Sequence, residues 1–375
     1  MHAFHVLTIG KMALRALAPE QALRVLAVFR RTFYCESDDG ALVCIGPPGM
    51  GAGPLNAIVP MPPGLDWQAR GLRPGLRAVT GGRTLRIGDL LFDLRGALQW
   101  RPAPIPAPAS WSRLAAGLAS LRAVWALGPR LDGLGPMILP LAAGSAELPP
   151  DLPDAGPLVR AAWRSVRPLT GWLGGRLGER PEPAPPPPAE TENLIGLGPG
   201  LTPSGDDCLA GMLIALRALG AQAPARSLGA WVLSRAVDRT HRISLGHLAC
   251  AGGGEGAEAL HETLVSLCAP GAPGLGRCLD TLGRIGHSSG WDALTGVTAA
   301  IRAVAAGGQS LGALPASPDY SQRTREQSRL EGFLFSPHCS RAPFANNAGL
   351  TPQSGVTACP FARRSSSLPI RTPSS

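Results

Sequence analysis

Lysine is almost missing from this chain: Lys11 is the only one among 35 cationic residues, and the rest are arginine. A bias that uniform belongs to the composition as a whole, so single arginines carry little functional information. Charged residues make up 16% of the sequence. The eight cysteines form no C-x-x-C pair and no Cys/His cluster with zinc spacing, which leaves a structural zinc site or a redox dithiol without ligands. The first residues, MHAFHVLTIGKMALRAL, do not follow the basic, apolar, small-residue order of a secretory leader. No uncharged apolar run reaches the ~18 residues needed to span a bilayer. The sequence therefore reads as a cytoplasmic protein with reduced thiols, and a membrane partner is not expected.

The formal charge of +9 suggests nucleic acid at first sight. Its location argues against that. Residues 320–375 hold seven arginines against two glutamates, a surplus of five, in a stretch with neither helical nor strand period and few large apolar residues. That tail is expected to be a disordered, solvated extension rather than a nucleic-acid-binding arm.

Several nucleotide and hydrolase signatures are also missing. The glycine-rich stretch GLGPGLTPSGDD at 196–207 places Gly196 and Gly198 for a dinucleotide fingerprint, but Leu201 stands at the third glycine position. Gly200 and Gly205 have the spacing of a phosphate loop, but Asp206 stands where lysine is required and would repel a γ-phosphate. There is no H-E-x-x-H pair.

What is present divides by period. Residues 24–103 contain short apolar runs broken by Gly and Asp, among them RVLAVFRRTFYCE, ALVCIG and TLRIGDLLFDL. From Ser110, a candidate N-cap, the period becomes helical, with Leu114, Leu118, Leu121 and Trp125 on one face. The expected fold is α+β: a small β-rich, barrel- or sandwich-like domain over 1–108, then a mainly α-helical part with Gly-rich loops at helix N-termini. Within the helical part, 109–180 reads as a helical connecting region and 181–190 (PEPAPPPPAE) as a stiff proline-rich linker. The helical domain proper is expected over 191–310 and the disordered tail over 311–375.

The 196–207 loop feeds a helix. Its three glycines admit positive φ and bring backbone N–H groups close to a ligand. Pro199 and Pro203 stiffen it, and Thr202 or Ser204 can cap the helix, Ser204-x-x-Asp207 resembling a capping box. Leu209, Met212, Leu213 and Leu216 share a face, and Gly220 marks the stop. A glycine loop at a helix N-terminus is a ready anion site. The bland alternative is a well-capped helix with a tight entry turn.

A second stretch repeats the pattern. Ser289-Gly-Trp-Asp-Ala-Leu-Thr-Gly296 matches Ser204-Gly-Asp-Asp-Cys-Leu-Ala-Gly211 as S-G-x-D-x-L-x-G, 85 residues apart. Two equivalent helix N-termini packed side by side would bring Asp207 and Asp292 to a shared pocket beside His287. Between the arms, RTHRIS places Thr240 and Ser244 four residues apart, able to line the same pocket.

GLGPGLTPSGDD followed by LAG, then R-T-x-x-I-S, then GHSSGWD resembles the family of the AllH-type subunit of oxamate carbamoyltransferase, which acts in anaerobic allantoin breakdown. The resemblance covers roughly residues 20–308. Cys208 departs from it, standing where an aromatic such as Phe is expected; the 181–190 insert and the tail lie outside the pattern. The resemblance implies an enzyme in which three different subunits move a carbamoyl group between phosphate and oxamate. It implies other carbamoyltransferase subunits as partners and a small anion as substrate.

The residues and the resemblance together give one expectation: a carbamoyltransferase-like subunit binding carbamoyl phosphate or oxamate. Gly198, Gly200, Thr202, Ser204, Gly205, Thr240, Ser244, Ser288, Ser289 and Gly290 would contact substrate. Asp206, Asp207 and Asp292 would orient amide protons, with Mg²⁺ an alternative occupant, and His287 would assist proton transfer. No metal ligand is assigned. Two other classes remain: a noncatalytic scaffold subunit, and a stand-alone Mg²⁺-dependent hydrolase of a small amide or phosphoester.

Overall fold

The structure is a computed structural model that describes residues 2–105, 111–128, 130–150, 152, 155–177, 185–269 and 271–307. The expected tail at 311–375, the Ser110 cap and the first four residues of the 181–190 stretch lie outside the described residues. Of that stretch, 185–188 form no helix, and Ala189–Leu194 make a short 3₁₀ segment.

The N-terminal half is β-rich, as its short alternating runs indicate. Its strands are β1 (His2–His5), β2 (Thr8–Ile9), β3 (Ala22–Val28), β4 (Phe33–Ser37), β5 (Leu42–Gly46), β6 (Asn56–Ile58), β7 (Arg77–Gly81), β8 (Thr84–Ile87), β9 (Leu90–Asp93) and β10 (Leu98–Gln99), with helix α1 (Lys11–Ala16) after β2. They form one sheet in the order β1-β9-β8-β7-β3-β4-β5-β6-β2-β10. β1 and β2 lie toward opposite ends of that order yet are separated in the chain only by Val6 and Leu7, so the sheet curls back on itself as a half-barrel. β1 pairs parallel with β9, and β2 antiparallel with β6.

The curl encloses a core. Phe33, Cys35, Val43 and Ile45 point inward, and Phe4, Phe33, Trp67 and Phe92 form an aromatic cluster with ring centroids 5.2–5.9 Å apart. β4 alternates strictly, with Tyr34 and Glu36 on the other face. β5 is buried at every position. Its inner face fills the curl, while Leu42 on its outer face packs with Met12, Leu55 and Cys250 against the helices.

The helices follow as α2 (Trp111–Leu127), α3 (Ile138–Ala143), α4 (Pro157–Gly175), α5 (Ser204–Ala218), α6 (Gln222–Ala236), α7 (Arg242–Gly252), α8 (Glu258–Cys268), α9 (Leu275–Leu282) and α10 (Ser289–Gly307). Leu114, Leu118, Leu121 and Trp125 of α2 are buried, as their spacing requires. They share one core with α3–α10. At its centre is α5. The sequence suggests a single apolar face, but every residue of α5 except Asp207 is buried, because α6, α7 and α10 all pack on it.

The cap expected at 202–207 is not formed. α5 begins at Ser204 with Pro203 as its N-cap residue and no side-chain capping bond. The polar side chains there are turned to other elements, as described below. Gly220 adopts φ 81° after the helix and ends it as expected.

Candidate functional site

The S-G-x-D-x-L-x-G repeat becomes a helix pair. α5 and α10 run side by side, and four contacts define how. A Cβ on Gly211 would stand 2.0 Å from the carbonyl oxygen of Ala293, and one on Gly296 would stand 1.9 Å from that of Cys208. Cys208 and Ala293 are themselves equivalent in the repeat, so the contacts are reciprocal. Toward the N-termini, the Ser204 hydroxyl bonds the Asp292 carboxyl and the Ser289 hydroxyl bonds that of Asp207. Positions 204/292 and 207/289 therefore meet at one end, and 208/296 and 211/293 further along. The helices point the same way and their N-termini converge.

The loops that lead into the pair match as well. Gly198 (φ 111°) lies over Ser204, and Gly286 (φ 58°) lies over Ser289, each so close that a Cβ would come within 3.0 Å of the serine. Gly205 packs on the Leu194 carbonyl and Gly290 on that of Leu282. Glycine is required at these places by close approach. Thr202 reaches across from the first arm to the second, its hydroxyl 3.2 Å from that of Ser289. Gly200 (φ 94°) sits at the exposed tip of the loop.

The three aspartates have different surroundings. Asp206 is buried and fully engaged. Its Oδ1 accepts the Gly196 N–H at 2.8 Å, and its Oδ2 accepts the hydroxyls of Thr240 and Ser244, the latter at 2.6 Å. This clamp ties the glycine loop to the start of α7. Thr240 and Ser244, expected to contact substrate, both turn their hydroxyls to Asp206. Asp292 is also engaged: Oδ1 accepts the Leu134 N–H at 2.6 Å and Oδ2 accepts the Ser288 hydroxyl at 2.9 Å. Burial raises its pKa against the pull of these donors. A Cβ at Gly133 would fall 2.2 Å from Asp292 Oδ1, so glycine there lets the 132–135 turn reach the carboxylate.

Asp207 alone has an oxygen to spare. The Ser289 and Thr202 hydroxyls flank its carboxyl, yet Oδ2 is buried with no hydrogen-bond partner among the described residues. Burial, with the nearby charges of Asp292 and Asp206, pushes its pKa well above the usual carboxylate range, and the two hydroxyls offset only part of that. A buried carboxyl oxygen without a donor is costly and uncommon.

His287 is exposed on the turn before α10, and no hydrogen bond or ion pair to its side chain is found among the described residues. His247, one turn beyond Ser244 on α7, is kept neutral by burial, which lowers its pKa to about 4. A divalent cation takes several oxygen ligands. Among the described residues no group of three or more His, Cys, Asp or Glu side chains is arranged to hold one, since Asp206 and Asp292 direct their oxygens at N–H and O–H donors.

Two contributors escaped the sequence reading. The 132–135 turn supplies a donor from 158 residues away; its Asp-Gly pair was a legible turn signal, but nothing in it names a partner. Tyr34 on β4 lies on the strand face that turns to the helices; burial first, then Cys44 and the Asp207 charge, raise its pKa well above the usual phenol range. It carries no motif at all.

No helix of the described residues is long and apolar enough to cross a membrane. No solved structure matches this chain. The family model described as oxamate carbamoyltransferase subunit AllH matches residues 194–301. That span starts at the leucine beneath Gly205 and holds both arms of the repeat with all three aspartates. By this match the segment that builds the helix pair is similar to AllH, a carbamoyltransferase-associated subunit.

Proposed function

We propose that this chain is the substrate-holding subunit of a carbamoyltransferase-type complex, and that Asp207 is its working carboxyl. One observation carries the reading: of three aspartates around two convergent helix N-termini, two have both oxygens bonded and Asp207 has a buried oxygen with no partner. Convergent helix ends favour a carboxylate or phosphate. A spare carboxyl oxygen favours the N–H of an amide. Oxamate carries both groups in one small molecule, and carbamoyl phosphate pairs a phosphate with an amide.

In this reading the amide nitrogen of oxamate attacks the carbamoyl carbon. A C–N bond forms, the C–O bond to phosphate breaks, and Asp207 takes the proton that the nitrogen loses. A carboxyl held above its usual pKa is suited to accept a proton near neutral pH. Asp206 and Asp292 position the loop and the 132–135 turn. The glycine loop around Gly198 and Gly200 would face the anionic end, and other carbamoyltransferase subunits would complete the assembly.

The test is thermal unfolding of the full chain with and without carbamoyl phosphate and oxamate. Ligand at 100-fold over Kd adds about 2.7 kcal/mol, a shift of several degrees for a chain of this size. The expected result is a shift with either ligand that disappears in Asp207→Asn. Shifts of equal size in that variant would assign the ligand elsewhere. No shift with any anion, together with intact folding of the variant, would favour the scaffold reading.

A further inference from the structure

The helices cover only part of the half-barrel's outside. They meet the outer face of β4 and β5, where Glu36 Oε1 accepts from Arg242 Nε and Leu42 packs on Gly246 of α7. The outer face of β7 and its neighbours stays open, and Val79 at its centre is 55% exposed. The sheet register fixes what stands around it. Residues directly opposite share a face, so Ala22, Val79, Arg86, Leu91 and Ala3 form one outward row across β3, β7, β8, β9 and β1. Two residues along the strands, Arg24 and Arg77 stand opposite each other on the same face. Arg24, Arg77 and Arg86 are exposed, and none makes a hydrogen bond or ion pair among the described residues. The one acid opposite any of the three in the register is Glu36, across from Arg24, and its carboxylate is taken by Arg242. Arginine is common in this chain, but this placement of it is costly, because like charges opposite on adjacent strands repel.

We propose that this open face docks a protein partner that presents carboxylates around a small apolar side chain. Val79, Leu91 and Ala3 offer an uncharged strip, and Arg24, Arg77 and Arg86 flank it. The chemistry of the face selects among occupants. Three arginines without acids call for carboxylates or phosphates. No aromatic side chain stands in these rows, so a single-stranded nucleic acid finds charge but no ring to stack a base on. A duplex would set phosphates against Val79 and Leu91. A second copy docked through the same face about a twofold axis would set arginine against arginine. An acidic protein surface answers both features, its carboxylates taking the guanidiniums and its apolar group covering Val79. The inference goes beyond the proposed function: it gives the place and the chemistry of a protein contact, and it uses none of the residues around Asp207.

The probes are a glutamate–alanine copolymer, poly-glutamate and poly-uridylate, each added to the full chain at low salt. The reporter is the pair of Val79 methyl resonances in ¹³C-methyl spectra, assigned by their loss in Val79→Ala. They report this face and not binding to the arginines of 320–375. The copolymer is expected to shift them. It is expected to bind more tightly than poly-glutamate although it carries fewer charges, because it can cover Val79. Its apparent Kd should weaken about tenfold in the Arg24→Gln/Arg77→Gln/Arg86→Gln variant, and with added salt. Folding of that variant is checked by its urea midpoint at low salt, expected at or above that of wild type because the Arg24–Arg77 repulsion is gone. Val79 resonances indifferent to the copolymer, an equal response in the triple variant, a preference for poly-glutamate, or tighter binding of poly-uridylate through the same arginines would each overturn the docking face. Resonances that move with protein concentration alone would give the face to a second copy and overturn the acidic partner. The proposed function stands in all these cases, since it is read by oxamate binding. Loss of the oxamate response with the copolymer response intact would overturn that function and leave the docking face.

Discussion

Asp206 and Asp207 are neighbours in sequence with opposite duties, and their variants should behave oppositely. Asp206 gathers one N–H and two hydroxyls. Asp206→Ala strands three buried donors and should cost about 3–4 kcal/mol in chemical denaturation. Asp207 takes the hydroxyls of Ser289 and Thr202, and burial disfavours its charged form. Its folded-state pKa lies above the unfolded value of about 4. Its contribution is therefore most favourable below that value, where both states are protonated, and is lost as pH rises through the raised folded pKa. Asn does not titrate. Asp207→Asn should accordingly be more stable than wild type at pH 8, with the gap closing as pH falls toward 4. A gap that is constant with pH, measured by urea midpoints, would show that Asp207 does not titrate abnormally.

Between elements, the α5–α10 contact is decided by two glycines. Gly211→Ala or Gly296→Ala would press a methyl group into a carbonyl of the opposite helix. Because the obstacle is backbone, relief requires moving a helix, and each variant should cost about 3 kcal/mol, the upper end of ordinary overpacking. Gly171 in α4 is the control. A Cβ there meets nothing within 4 Å, so Gly171→Ala should stabilise by about 0.5–1 kcal/mol through helix propensity.

This element was also the most legible in the sequence. The S-G-x-D-x-L-x-G echo marks both arms, and the glycines that end it are the ones that touch. The roles of the serines and aspartates were less legible. A capping box reads only local partners, whereas Ser204 serves Asp292 on the other helix and Asp206 serves a loop and α7. His287 matched the chemistry of a general acid by type, but its exposure depends on how a turn folds, which spacing does not encode.

Across the whole molecule, the half-barrel and the helices are joined along the outer face of β4 and β5. The β-rich and helical halves were legible because period 2 and period 3.6 differ over long stretches. Their junction was not, because Glu36 and Arg242 lie 206 residues apart and neither belongs to a motif. Both side chains are partly exposed, so Arg242→Ala should cost only about 1 kcal/mol in stability.

In the proposed function, the Asp207 oxygen that has no donor among the described residues receives a ligand N–H. The most direct measurement is the titration of the Asp207 carboxyl by ¹³C NMR in labelled full-length chain, assigned with Asp207→Asn, without and with saturating oxamate. A pKa well above the ordinary carboxylate range is expected in the free chain, falling when oxamate supplies the missing donor. An ordinary value near 4 that does not respond to oxamate would contradict it.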